Sequence, residues 1–203
     1  EYTVEDLTVS ADDRIPASLF EEPQRTTWEL YRFRADWVPG FYVNPSFGWL
    51  FGGCAFYFYP DFFAMFIIRR SFAQRERWLI YNRSELLSHE LCHVARIAMD
   101  STVFEELLAY QTAATGFRRA LGSVFRSPAD SFLLLGVTFL LLLGQVVRLT
   151  LWASLPVPLL WGLVALVIGG FGVRLLRDRA AFRRAVDHVR PLAGDAARAV
   201  VFR

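Results

Sequence analysis

The sequence predicts an α+β protein in three parts. Residues 1–128 form a small domain of strands and a helix pair, 129–176 a two-helix transmembrane hairpin, and 177–203 an arginine-rich cytoplasmic tail built on an amphipathic helix. Three observations predict this. The aromatic stretch "FYVNPSFGWLFGGCAFYFYPDFFAMFIIRR", broken by turn residues, reads as strands. The segment after it, "SHELCHVARIAMDSTVFEELLAYQTA", has helical periodicity and capping residues. Charge then almost disappears: in a chain that is 54% apolar, only Arg148 and Arg174 are charged between Phe132 and Leu176.

The first residues, "EYTVEDLTVSADDRIP", are acidic and hold no apolar run, so a signal peptide is not expected there. The chain begins with Glu and not Met, which leaves a processed end open. One short strand is expected at "YTVEDLTV", and a helix over "RTTWELYRFRADW" that ends before Pro39-Gly40. Strands follow in the aromatic stretch, with a hairpin turning at Pro60-Asp61, and "RWLIYN" adds a further short strand. A competing reading makes Ser46–Ile68 a membrane segment, since Asp61 is its only charge. Proline beside aspartate in mid-span disfavours a helix there, and strands are preferred.

Next comes the helical pair. Ser84 can cap a helix running to about Met99, and Ser101 or Thr102 the next, to about Gly116. The apolar run beyond is about twice the roughly 20 residues that one crossing needs. It divides into spans at Ser131–Leu151 and Pro156–Leu176 around the connector "ASLPVP", with Trp152 and Trp161 nearby as interfacial anchors. A soluble chain of 203 residues has too little other material to cover such a run. Arg118, Arg119 and Arg126 precede the first span; Arg174, Arg177, Arg179, Arg183, Arg184 and Arg190 end or follow the second. The positive-inside rule then puts both ends in the cytoplasm and the connector outside. The expected location is a bacterial cytoplasmic membrane, with the tail along its inner face. A bilayer accounts for the basic clusters without a nucleic-acid partner. Cys54 and Cys92 are too few for a disulfide framework and are expected to stay reduced.

Chemistry concentrates at His89-Glu90-Leu91-Cys92-His93, an H-E-x-x-H motif. With three histidines in the chain, roughly 0.002 such matches are expected by chance. Residues four apart share a helix face, so both imidazoles can reach one Zn2+ ion. Glu90, at the edge of that face, can take a proton from a water at the open position and pass it to a leaving amine. Two ligands are too few. His188 lies beyond the apolar run, which leaves Glu105 and Glu106. In a helical hairpin turning near Asp100-Ser101, His93 and Glu106 lie within about 3 Å of one level. Arg96 can pair with Glu105 or a substrate carboxylate, or face solvent. Tyr110 can donate to an oxyanion or pack in the core. Cys92 reads as a small buried side chain, and Asp100 as a helix cap or an acceptor behind a ligand imidazole.

H-E-x-x-H followed by a helix with Glu106-Leu107-Leu108-Ala109 resembles the gluzincin zinc metallopeptidases. The resemblance spans Ser84 to Gly116. It implies a zincin-like domain with Glu106 as third ligand, Glu105 behind it, facing substrate or simply in the first helical turn, and a peptide or protein substrate. Ala109 and Ala113 would let the two helices approach closely. Where the membrane-bound CAAX-type prenyl proteases of that clan have aspartate after the alanine, this chain has Tyr110. Its spacer from His93 to Glu106 is also shorter than usual in the clan. The leading expectation is a membrane-anchored zinc metallopeptidase acting near the cytoplasmic surface, with substrate added as a strand along "FYFY" or "FAMFIIR". The alternatives are a zinc-bearing structural or sensing membrane protein, and a metal-dependent hydrolase of a lipid or other non-peptide substrate. Glu90 favours an enzyme, because a structural site needs no base. Substrate, cleavage position and oligomeric state stay open at this level.

Overall fold

A computed structural model describes residues 2–4, 7–44, 51–58, 63–99 and 103–203. Tyr2–Val4 (β1) and Leu7–Val9 (β2) pair antiparallel, so the single strand expected at the start is a pair. Glu21–Tyr31 forms α1, which starts before the Arg25 expected from sequence. It stops at Arg32, whose left-handed backbone (φ 57°) does the work usually left to glycine.

Gly40–Val43 (β3), Gly53–Phe58 (β4) and Phe63–Arg69 (β5) build a mixed sheet in the order β3-β5-β4. β3 runs parallel to β5, with Gly40 opposite Phe66; β4 runs antiparallel to it, with Gly53 opposite Ile68. These pairings put strands, not a spanning helix, in the described part of 46–68. The turn expected at Pro60-Asp61 lies outside the described residues. Side chains alternate along β5. Ala64, Phe66 and Ile68 join the core with Phe20, Phe72, Leu87 and Leu91, while Met65 and Ile67 pack with Val9, Phe41 and Val43. Both faces are covered, which is why "FAMFII" is apolar without interruption. β5 is therefore central and cannot receive an added strand; among the described residues β3 and β4 are the outer strands, and Arg14 makes a single bridge to β3 at Phe41. Arg77–Trp78 (β6) and Tyr81–Asn82 (β7) pair around Leu79-Ile80, so "RWLIYN" is two strands where one was expected.

Arg83–Arg96 is α2. Its cap is Asn82, whose side chain accepts the Glu85 N–H at 3.1 Å, and not Ser84. Asn82→Ala is expected to destabilise the domain by about 1 kcal/mol, read as a lower unfolding midpoint at unchanged denaturant slope. Ile97–Met99 continues α2 as a 3-10 turn. Glu105–Ala109 (α3) and a 3-10 turn at Tyr110–Thr112 stop short of the expected Gly116, where a separate helix, Gly116–Leu121 (α4), begins under a Thr115 cap. The expected caps Ser101 and Thr102 lie outside the described residues, as does Asp100.

Pro128–Thr150 (α5) and Val157–Ala193 (α6) form the apolar hairpin. Both are long and apolar enough to cross a membrane, and only 11% and 17% of the residues in their most apolar windows are buried. Gly144 sits where a Cβ would come within 2.2 Å of Leu160, so its missing side chain permits the close crossing. Arg174 holds Asp130 with a two-pronged contact at 2.6 and 3.0 Å, and Arg126 donates to Asp178 at 3.0 Å, tying the hairpin's base together.

The arginine-rich helix expected from Arg177 is the unbroken continuation of α6. At Gly194 (φ 55°) the chain turns as only glycine does readily, and Ala197–Phe202 (α7) comes back to the first domain. Phe202 is buried, with its ring 4.1 Å from that of Tyr31 and 5.1 Å from that of Phe33. The end of the tail thus docks on α1 and α2. Composition predicts a tail along a membrane face; its last helix packs on the first domain instead.

Candidate metal centre

α2 faces three ways. Leu87, Leu91 and Val94 meet the sheet, and Cys92 enters a second cluster with Tyr31, Leu108, Ala109 and Phe202. The remaining stripe turns His89 and His93 toward α3, which brings Glu106. The His89 and His93 Nε2 atoms are 3.1 Å apart. Glu106 Oε2 lies 3.5 Å from His89 Nε2, and Oε1 lies 3.5 Å from His93 Nε2. One donor atom from each of the three residues falls within a 4.8 Å set. Ions bound by imidazole and carboxylate at roughly 2.0–2.2 Å need tetrahedral ligand separations of about 3.3–3.6 Å. The three side chains fit such a cation and leave a fourth position to other groups.

Glu105 and Glu106 have different positions. Glu106 meets both imidazoles at Nε2, whereas Glu105 Oε2 is 3.5 Å from Nδ1 on the far side of the His93 ring. Its other oxygen accepts from Arg96 Nε at 2.7 Å. Arg96 is itself buried and donates through Nη1 to the Phe202 carbonyl, with its guanidinium 5.3 Å from the centre of that ring. Of the roles considered for Arg96, pairing with Glu105 is the one realised. This carboxylate behind an imidazole is the arrangement that fixes tautomer and ring orientation in a ligand histidine.

Glu90 is buried beside the pair, and its Oε2 accepts the Ala55 N–H of β4 at 3.0 Å. Burial is the main cause raising its pKa; the Glu106 charge adds to this, while the histidines and the Ala55 N–H oppose it. For His93, burial disfavours protonation, but the bond to Glu105 and the charges of Glu90, Glu106 and Glu105 outweigh it and raise the pKa. Glu106 is lowered: burial works against its charge, and His89 and His93 more than restore it. A cation among them would displace the imidazole protons.

The Tyr110 ring stands edge-on to His89, with centroids 4.6 Å apart. Burial chiefly, and then Glu106, raise its pKa against the pull of Arg118, so the hydroxyl keeps its proton. A cavity of about 160 Å³ lies over the site, lined in part by His89, Glu90, Tyr110, Tyr81 and Arg118. Arg118 is held by Glu85 at 2.9 Å. Sequence reasoning missed Tyr81, Arg118, the Ala55 N–H and the Phe202 carbonyl. Tyr81, just before the motif helix, carried the only signal, as an aromatic at a strand end. Burial, with a smaller push from Glu90, raises the Cys54 thiol to about 12. Cys92 is fully buried, as expected, and raised further by the same cause. His188 is exposed on α6 and takes no part among the grouped ligands.

No protein-family model, curated protein or solved structure matches the chain. What the site can do rests on its own geometry.

Proposed function

We propose that the protein is a membrane-anchored zinc metallopeptidase that hydrolyses peptide bonds near the cytoplasmic face of a bilayer. The observation that carries this reading is the meeting of three groups: the His89, His93 and Glu106 donors, the buried carboxylate of Glu90, and the side of β4 that faces away from β5, which no strand pairs with among the described residues. Zinc, when bound, polarises a carbonyl oxygen and makes water nucleophilic at neutral pH. His89, His93 and Glu106 would hold it, with Glu105 keeping the His93 ring oriented. Glu90 accepts a proton from the attacking water at a carboxylate oxygen and delivers it to the leaving nitrogen, and its burial strengthens its hold on that proton. Tyr110 donates its hydroxyl hydrogen toward the oxygen on which charge develops. Ala55 points its N–H away from β5, so by alternation Gly53 and Tyr57 present theirs along the same edge, where an extended substrate can align.

Protein purified in detergent is expected to carry one zinc per chain and to cleave an unfolded protein substrate. A chelator should abolish cleavage and added zinc should restore it. Zinc-loaded, folded protein that cleaves no peptide would sink the peptidase reading and leave the structural or sensing one. The membrane part has its own test. Cysteines placed in the "ASLPVP" connector should react with an impermeant reagent in intact cells, and cysteines placed in residues 177–203 should not. The reverse pattern would overturn the orientation.

A further inference from the structure

Where α6 leaves its apolar stretch, it forms one wall of a cavity of about 520 Å³ shared with α4 and α7. Arg119, Arg179, Arg183 and Arg198 line it together with Leu176 and Phe182, and no carboxylate is among its lining residues. Leu176, Arg179 and Arg183 follow one another at helical spacing, so one face of α6 passes from apolar to cationic within two turns. Elsewhere in the chain, Arg126, Arg174 and Arg190 have aspartate partners. The four cavity arginines form no ion pair among the described residues. Arg179 and Arg119 bond only to backbone carbonyls, and the buried Nε of Arg179 has no partner. Four like charges around one concave space repel one another unless an anion sits between them.

We propose that this cavity binds the phosphate of an anionic lipid headgroup. Guanidinium forks match phosphate oxygens in pairs, which favours phosphate over a simple monovalent anion. Leu176 and Phe182 supply an apolar wall for the glycerol and upper acyl segment, which free phosphate would not use. The cavity volume falls in the range of small-molecule sites. The lipid assignment rests on the membrane reading above, because only then does the end of the apolar stretch lie at headgroup level; it does not depend on the metal or on hydrolysis.

Native mass spectrometry on the full chain in detergent tests it, with phosphatidylglycerol, phosphatidylcholine and inorganic phosphate as probes. Phosphatidylglycerol is expected to bind in preference to phosphatidylcholine. The R179A/R183A double variant should weaken phosphatidylglycerol binding on the order of tenfold or more. Arg183→Ala alone, at an exposed position with no partner to lose, should weaken it severalfold without touching the fold. The R184A/R190A double variant removes the same charge outside the cavity and should leave binding unchanged. Equal losses in the two double variants, or no preference between the lipids, would overturn the site. Inorganic phosphate that displaces the lipid at equal concentration, with the same variants sensitive, would overturn the lipid assignment. Zinc content and cleavage do not enter these readouts, so failure here and failure of the peptidase reading are separable.

Discussion

Glu90→Gln is expected to keep its metal and its fold while losing hydrolysis by roughly 10²–10⁴-fold, the range for removal of a general base. The substitution is nearly isosteric. The amide oxygen can still accept the Ala55 N–H that Oε2 now accepts at 3.0 Å, so the link between α2 and β4 survives. What disappears is the ability to take a proton. Burial already raises the pKa of Glu90, and a carboxylate so placed holds a proton more firmly than one in water while serving as base. Metal content and peptide cleavage, measured on one preparation, check the outcome. A fully active Glu90→Gln protein would remove Glu90 from the mechanism.

Glu106→Gln is expected to lower metal affinity itself, because a neutral amide replaces the anionic donor that faces both imidazoles at 3.5 Å. Glu105→Gln should cost less, in the 10–100-fold range typical of groups behind a ligand. That residue meets only the far nitrogen of His93 and spends its other oxygen on Arg96. Competition with a coloured zinc chelator would rank the three proteins. If Glu105→Gln loses the metal and Glu106→Gln keeps it, the ligand assignment is off by one residue.

The pairing of His89 and His93 was legible because a spacing of four depends only on helix geometry. The choice of Glu106 over Glu105 was less so, since adjacent residues on a short helix differ by orientation and not by level. Strand character in Gly53–Phe58 and Phe63–Arg69 could be read from composition, but the central place of β5 could not. Its continuous apolar run fits a strand covered on both faces, yet nothing local says which strands flank it, and the parallel β3 pairs across more than twenty residues. Asn82 as cap was readable in principle, because Asn82-Arg83-Ser84-Glu85 is a capping pattern in which two residues compete. The docking of Phe202 had no signal at all: a six-residue helix finds its place through ring stacking and one arginine, and neither leaves a periodic trace.

That docking changes how the apolar hairpin is attached. The chain leaves the first domain at Ser127, meets it again at Phe182 on α6 and ends on it at Phe202, so the hairpin is a loop fastened at both feet, cross-braced by Arg174–Asp130 and Arg126–Asp178. A leash with one attachment would let the domain swing and sample many depths. Two attachments restrict that swing. Under the proposed function the molecule would then act as a ruler, choosing peptide bonds by their distance from the lipid surface before it reads their side chains.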